Sequence, residues 1–269
     1  MTVLVWADVH ADAWRRAGLD PFASVAKELE TVDALIIAGD IADNPASNWP
    51  AFFKVLGDLI DLRKVAIFPG NHDYHGWDIL DDDGLAAMAE AVGIRYAQKQ
   101  VIRLDGSRFV CCTLWTDFGL NGDVTAGMIA AQDRLMDYSR ITVGEAHRRL
   151  RPRDVLQMHE DHLAWLDRTL AEPFPGRTIV VTHHAPHPEL LDSLDLLDRL
   201  RPAYASNLEP LIRRHQPDSW ICGHIHGRRD AQIGVTRLRD VALGFPHEVS
   251  VTEARALLLR GLIENGRPA

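Results

Sequence analysis

Thr178-Ile-Val-Val-Thr182-His183-His184-Ala-Pro-His187 is the stretch from which the fold can be read. Residues 179–182 are apolar or β-branched and read as a buried strand. The strand runs straight into two imidazoles. In open α/β sheets ligands bind beyond the carboxyl ends of the strands. A histidine pair there has a functional reading beside its plainer one as a hydrogen-bonded structural group.

Four other apolar runs end in the same way. Thr2-Val-Leu-Val-Trp-Ala7 ends in Asp8-Val-His10, and residues 33–38 end in Gly39-Asp40. Residues 64–68 end in Pro69-Gly-Asn71-His72-Asp73, and 218–222 in Gly223-His224-Ile-His226. Singly these are weak signals. A Gly-Asp after a strand is ordinarily a turn, and Gly-Asn-His-Asp suits an Asx-turn. Gly-His-x-His says more, because two imidazoles two apart point the same way only in extended chain. Five such endings in one chain, each behind an apolar run, point to one shared site.

The intervening segments support a sheet scaffold. Apolar spacing predicts helices over 21–30 and 50–62, so the first 68 residues read strand, helix, strand, helix, strand. That rhythm implies βαβ units and a parallel sheet. Short strands follow at 95–96, 100–104 and 108–114, the last two joined by a turn at Asp105-Gly106. A hairpin is expected around Gly234, pairing 231–233 with 235–241. Further helices are expected over 84–92, 126–136, 144–150, 152–170, 192–200, 208–215 and 251–263. No linker or internal repeat divides the chain, so residues 1–269 read as a single domain.

Composition narrows the function. Across 269 residues the formal charge is −9, which weighs against a nonspecific nucleic-acid binder. Three cysteines without regular spacing make no disulfide framework and read as buried thiols. No apolar run reaches the length of a membrane span. The first residues read as a core strand rather than a signal peptide, so a cytoplasmic protein is expected.

Taken in order, Asp-x-His, Gly-Asp, Gly-Asn-His-Asp, Thr-His-His and Gly-His-x-His resemble the signature blocks of the calcineurin-like metallophosphoesterase superfamily. They extend from residue 8 to residue 226. The resemblance implies a four-layer αββα sandwich, two mixed β-sheets flanked by helices. It also implies two divalent metal ions. Asp40 would bridge them, Asp8, His10 and His226 would complete the first ion, and Asn71, His183 and His224 the second. Nitrogen and oxygen donors without thiolate suit Mn, Fe, Zn, Co or Ni. Two cations close together offset the charge of a phosphoester and clamp its attacking and leaving oxygens. The expected activity is hydrolysis of a phosphodiester or phosphomonoester of a small molecule such as a nucleotide, by attack of a metal-bridging hydroxide. His72 would stabilise charge or protonate the leaving group, with Asp73 orienting it; the plainer reading of His72 is an imidazole bracing its loop.

Other residues are less decided. His184 reads equally as a substrate contact and as packing. Residues 115–151 fall between the third and fourth blocks, where such insertions form a cap; within them Tyr138 and Arg140 could meet a substrate phosphate or simply finish a solvated helix. Asn207 reads as a helix N-cap beside Tyr204. His75, His187 and His247 could reach the mouth of the site but read better as surface residues. The alternatives to a small-molecule phosphoesterase are a nuclease on single-stranded nucleic acid and a metal-holding regulatory protein without turnover.

Overall fold

The computed structural model describes residues 1–191, 199–264 and the backbone of 267–268. In chain order the strands begin with β1 (Thr2–Trp6), β2 (Ala34–Ala38), β3 (Val65–Phe68) and β4 (Arg95–Tyr96). Next come β5 (Gln100–Leu104), β6 (Ser107–Cys112), β7 (Thr142–Val143), β8 (Arg148–Arg149) and β9 (Arg177–Thr182). The last are β10 (Ser219–Cys222), β11 (Asp230–Ile233), β12 (Thr236–Asp240), β13 (Leu262–Glu264) and β14 (Arg267–Pro268). They form two mixed six-stranded sheets, ordered β14-β13-β1-β2-β3-β4 and β11-β12-β10-β9-β6-β5, with β7 and β8 as a separate hairpin.

Strands β1 to β4 run parallel in chain order, and so do β6, β9, β10 and β12 in the second sheet. The continuous apolar runs follow from burial on both faces. Val3, Val5, Ile36 and Phe68 meet Phe109, Ile179, Val181 and Ile221 in the core between the sheets. Each of these fully buried side chains is worth roughly 1.5–3 kcal/mol of transfer from water. Alternate residues face outward. Leu4, Trp6, Leu35 and Ile37 pack under Trp14, Leu29, Phe52, Phe53 and Leu258. Val180 and Trp220 pack under Leu166, Leu170, Leu211 and Ile212. This is the expected αββα sandwich.

The helices are α1 (Ala11–Arg16), α2 (Ala26–Thr31), α3 (Pro45–Gly57), α4 (Asp82–Glu90) and α5 (Val124–Arg134). They continue with α6 (Asp137–Arg140), α7 (Pro152–Ala171), α8 (Arg201–Tyr204), α9 (Glu209–His215) and α10 (Val251–Leu259). Several expected helices come out differently, and the one over 21–30 is a 3₁₀ turn, Phe22–Val25, followed by α2. Helix α3 begins at Pro45, where proline suits the first turn, and carries Pro50 inside it rather than at its start. Residues 144–150 are not helical: Gly144 and His147 both take positive φ, and the segment folds as the β7–β8 hairpin. Helix α10 stops at Leu259 rather than 263: the Gly261 carbonyl accepts from Val5 N of β1 at 3.0 Å, an approach that leaves no room for a Cβ at 261. The chain then extends as β13, antiparallel to β1. Residues 192–198 of the helix expected over 192–200 lie outside the described residues.

Segment 115–151 joins the outer layer of the first sheet: Trp115, Phe118, Tyr138, Ile141, Val143 and Leu150 share its core. No helix among the described residues is long and apolar enough to cross a membrane.

Candidate metal centre

The carboxyl ends of β1, β2, β3, β9 and β10 converge, and backbone bonds fix their loops to one another. Asp8 N donates to Gly39 O and His10 N to Asp40 O, both at 3.0 Å, and Gly223 N donates to His183 O at 2.9 Å. The close approach demands glycine at position 70, where a Cβ would strike Asp40 Oδ1. Asp8, His10, Asp40, His224 and His226 all adopt positive φ, between 36° and 69°. Such conformations cost on the order of 1–3 kcal/mol each and cluster at functional sites.

All seven expected ligands meet here. Asp8, His10 and His226 bring donor atoms within 4.8 Å of one another, and so do Asp8, Asp40 and His183. The Asp40 carboxylate sits between two sets: Oδ2 is 3.8 Å from His10 Nε2, and Oδ1 is 3.3 Å from His183 Nε2. Asn71 Oδ1 lies 3.1 Å from His183 Nε2.

The donor chemistry fits cations. His183 gives Nδ1–H to Ala38 O at 2.9 Å, so its Nε2 lone pair faces the site. His226 Nδ1 likewise meets Glu248 Oε2 at 2.8 Å, leaving Nε2 beside Asp8 Oδ1 at 3.2 Å. Nε2 of His10 and Nε2 of His224 are buried without a hydrogen-bond partner. Burial pushes the His10 imidazole well below its ordinary value and holds His224 at about 3. Both are therefore neutral, the state in which imidazole binds metal. Burial also raises the Asp40 carboxyl. Asp8 goes the other way: burial opposes its charge, but the His226 hydrogen bond overcomes that and lowers it. Buried carboxylates beside orphaned ring nitrogens are what a cation would satisfy.

His72 lies at the rim of this cluster, its side chain 18% exposed. Its partner is not the expected Asp73. His72 Nδ1 meets Asp43 Oδ1 at 2.7 Å. Burial works against a charged His72, but Asp40 and the Asp43 hydrogen bond raise it to about 9. Asp73 faces the opposite way, accepting from Ile41 N, Ala42 N, Gly70 N and Trp49 Nε1 at 2.9–3.2 Å. It braces the loops after β2 and β3 and does not touch His72. The cause is the 3₁₀ turn His72–Tyr74, which sends neighbouring side chains in different directions.

His75, expected at the surface, is buried, with Nδ1 3.1 Å from Asp43 Oδ1 and Nε2 2.7 Å from Asp137 Oδ1. Burial opposes its charge, and the hydrogen bonds to Asp137 and Asp43 raise it. His187 is also buried and caps the turn Pro188–Leu190, whereas His247 is exposed as expected.

A cleft of about 500 Å³ opens over the cluster. His10, Asp40, Asn71, His72, His224 and His226 form its floor; Arg134, Met136, Arg201, Tyr204 and Phe245 contribute to its walls. Phe245 stacks on His10 with ring centroids 3.8 Å apart, and Tyr204 lies 5.1 Å from His224. The three expected substrate contacts do not line this cleft. His184 is buried with its ring 4.0 Å from His224 and 5.2 Å from Trp115. Tyr138 is buried in the outer core, and Arg140 Nη1 pairs with Asp43 Oδ2 at 2.9 Å. Asn207, expected as a helix N-cap, stands one residue before it: Leu208 holds the N-cap of α9, and Asn207 Oδ1 accepts from Glu209 N at 3.2 Å as an Asx-turn.

A model of calcineurin-like phosphoesterases matches residues 1–228. The chain belongs to the calcineurin-like phosphoesterase family. As a metallophosphoesterase it is a hydrolase, and the family's dinuclear divalent metal centre fits the His/Asp clusters just described. No curated protein matches the sequence. Among solved structures, the phosphopantetheinyl hydrolase of Mycobacterium tuberculosis is similar over 92% of this chain and 90% of its own, at 21% identity and a TM-score of 0.69. The protein TT1561 of Thermus thermophilus is similar over 94% and 95%, at 16% identity and a TM-score of 0.51. A dimetal phosphatase from Danio rerio is similar over 89% and 86%, at 17% identity and a TM-score of 0.50. At these identities the likeness speaks for a shared fold.

Proposed function

We propose that this metallophosphoesterase works with a binuclear centre on a small organic phosphodiester or phosphomonoester. The observation that carries the reading is Asp40, whose two oxygens face imidazoles belonging to two different donor sets. Asp8, His10 and His226 would hold one ion, Asn71, His183 and His224 the other, and Asp40 both. Bound there, two divalent cations would activate water as the nucleophile and neutralise the phosphoryl oxygens.

The protein's own groups supply the rest. With Nδ1 held by Asp43, His72 presents Nε2 to the cleft as the proton donor for the leaving oxygen. Asp43 keeps that proton available. The volume of the cleft lies within the range of small-molecule sites. Leu135, Met136, Leu191 and Phe245 give it apolar walls, and Arg134 and Arg201 add positive charge. Such walls suit an organic leaving group with an anionic portion. Segment 115–151, which supplies Arg134 to Asp137, acts in this reading as part of the wall of a single catalytic unit.

The test is turnover of a bis-aryl against a mono-aryl phosphate across Mn, Zn, Fe and Mg. Hydrolysis of at least one ester, dependent on added metal, is expected. Two bound metals without turnover of either ester would favour a regulatory protein. Salt-sensitive cutting of single-stranded DNA in their place would favour a nuclease.

A further inference from the structure

Asn71 can face a cation in two ways, and only one of them binds. The amide oxygen has lone pairs to offer; the NH₂ turns hydrogens toward the ion. A carboxylate at this position would have no wrong orientation. An amide ligand therefore needs a partner that identifies its nitrogen.

That partner comes from a distant part of the chain. Asn71 Nδ2 donates to Asp137 Oδ1 at 3.0 Å, while Asn71 Oδ1 stays 3.1 Å from His183 Nε2. Asp137 is the first residue of α6, inside segment 115–151, and its side chain is only 10% exposed. The same Oδ1 accepts from His75 Nε2 at 2.7 Å. His75 reaches on to Asp43 at 3.1 Å, and Asp43 holds His72 at 2.7 Å. Helix α6 is itself tied down, since Gly76 N donates to Arg140 O at 3.1 Å.

We propose that Asp137 is a positioning residue: it fixes the amide of Asn71 with oxygen toward the second ion, so that the 115–151 segment sets occupancy of that ion. The proposal rests on the binuclear reading above. Outer partners of metal ligands are typically worth 10–100-fold in affinity. Asp137 touches none of Asp8, His10 and His226, so the first ion is unaffected by its loss.

The experiment is titration of metal-free protein with Mn²⁺ alone, counting free ion by its EPR signal. Wild type takes up two ions. Asp137→Ala binds the first normally and the second about 10–100-fold more weakly. Asp137→Asn keeps an oxygen acceptor in the same place and binds both within a few-fold of wild type. In Asn71→Asp/Asp137→Ala the ligand has oxygen on both sides, so second-ion binding returns. Should Asp137→Ala not fold, Asp137→Ser, whose hydroxyl is too short to reach Asn71, carries the same expectation. Wild-type affinity for the second ion in Asp137→Ala, or an Asp137→Asn as weak as Asp137→Ala, overturns the proposal. A wild-type protein that binds fewer than two ions overturns the binuclear reading instead.

Discussion

Replacing Asp43 by asparagine separates the role of His72 from that of the metals. The Asp43 carboxylate accepts from His72 at 2.7 Å and His75 at 3.1 Å through one oxygen, and from Arg140 at 2.9 Å through the other. Asparagine keeps the shape but has one acceptor oxygen and no charge. Its NH₂ must then face either Arg140 or the two imidazoles. A hydrogen bond to a charged group contributes about 1.5–3 kcal/mol, a neutral one about 0.5–1.5 kcal/mol. The loss at His72 is therefore about 1–2 kcal/mol, which lowers its pKa by about one. General acid catalysis contributes about 10²–10⁴-fold, so a mispositioned donor should slow kcat by roughly 10–100-fold. The assay is kcat against pH for two esters, one with a nitrophenyl and one with a phenyl leaving group. Phenolate needs a proton more than nitrophenolate does, so its ester should suffer more. The alkaline limb should move to lower pH, since the acid works only while protonated. Metal content should not change. Equal, undiminished rates for both esters, with the alkaline limb in place, would refute the assignment of His72 as proton donor.

Two further outcomes follow from the same geometry. Glu248→Ala removes the acceptor that orients His226 and should weaken the first ion about 10–100-fold while sparing the second; Mn²⁺ titration reads this directly. Metal-free protein should lose stability as pH rises from 6.5 through about 9, because His72 and His226 are held protonated, with pKa values raised from 6.5 to about 9 and about 10. The sign is that of groups raised on folding: their contribution is complete below 6.5 and is lost on the way to the folded value. For His72 the difference corresponds to about 3 kcal/mol. Above 6.5 the neutral His10 and His224 add no opposing slope, since they are deprotonated both folded and unfolded. A melting temperature that holds level or rises between pH 6.5 and 9 would contradict this.

What the sequence displayed and what it hid have physical causes. Strands β1, β2, β3, β9 and β10 are buried on both faces, so each is a short apolar run, and each ligand stands directly behind one. The apolar runs made the strands legible, and the family resemblance made the seven candidate ligands legible. The partners of those ligands were not. Asp43 and His75 are 32 residues apart, His75 and Asp137 are 62 apart, and His226 and Glu248 are 22 apart. Such pairs are set by the packing of α6 and the loop after β12, and periodicity carries no trace of them. Asp73 shows the opposite error. Adjacency in sequence suggested a partner for His72, but a 3₁₀ turn separates the two side chains. Asp43 did carry a signal, a carboxylate three residues after Asp40 in the same loop. Burial misled in a similar way at Tyr138, whose hydroxyl looked available in the sequence and whose ring is packed in the core. Gly144 marked a turn inside what spacing alone presented as a helix.

The most direct test of the binuclear centre is metal content per chain, measured by elemental analysis on wild type and Asp40→Ala together with the rate of ester hydrolysis. Because the two oxygens of Asp40 face His10 and His183 separately, wild type should carry two ions, and Asp40→Ala should carry at most one and hydrolyse nothing measurable. An Asp40→Ala protein that keeps both ions and the full rate would contradict the bridging role and the mechanism built on it.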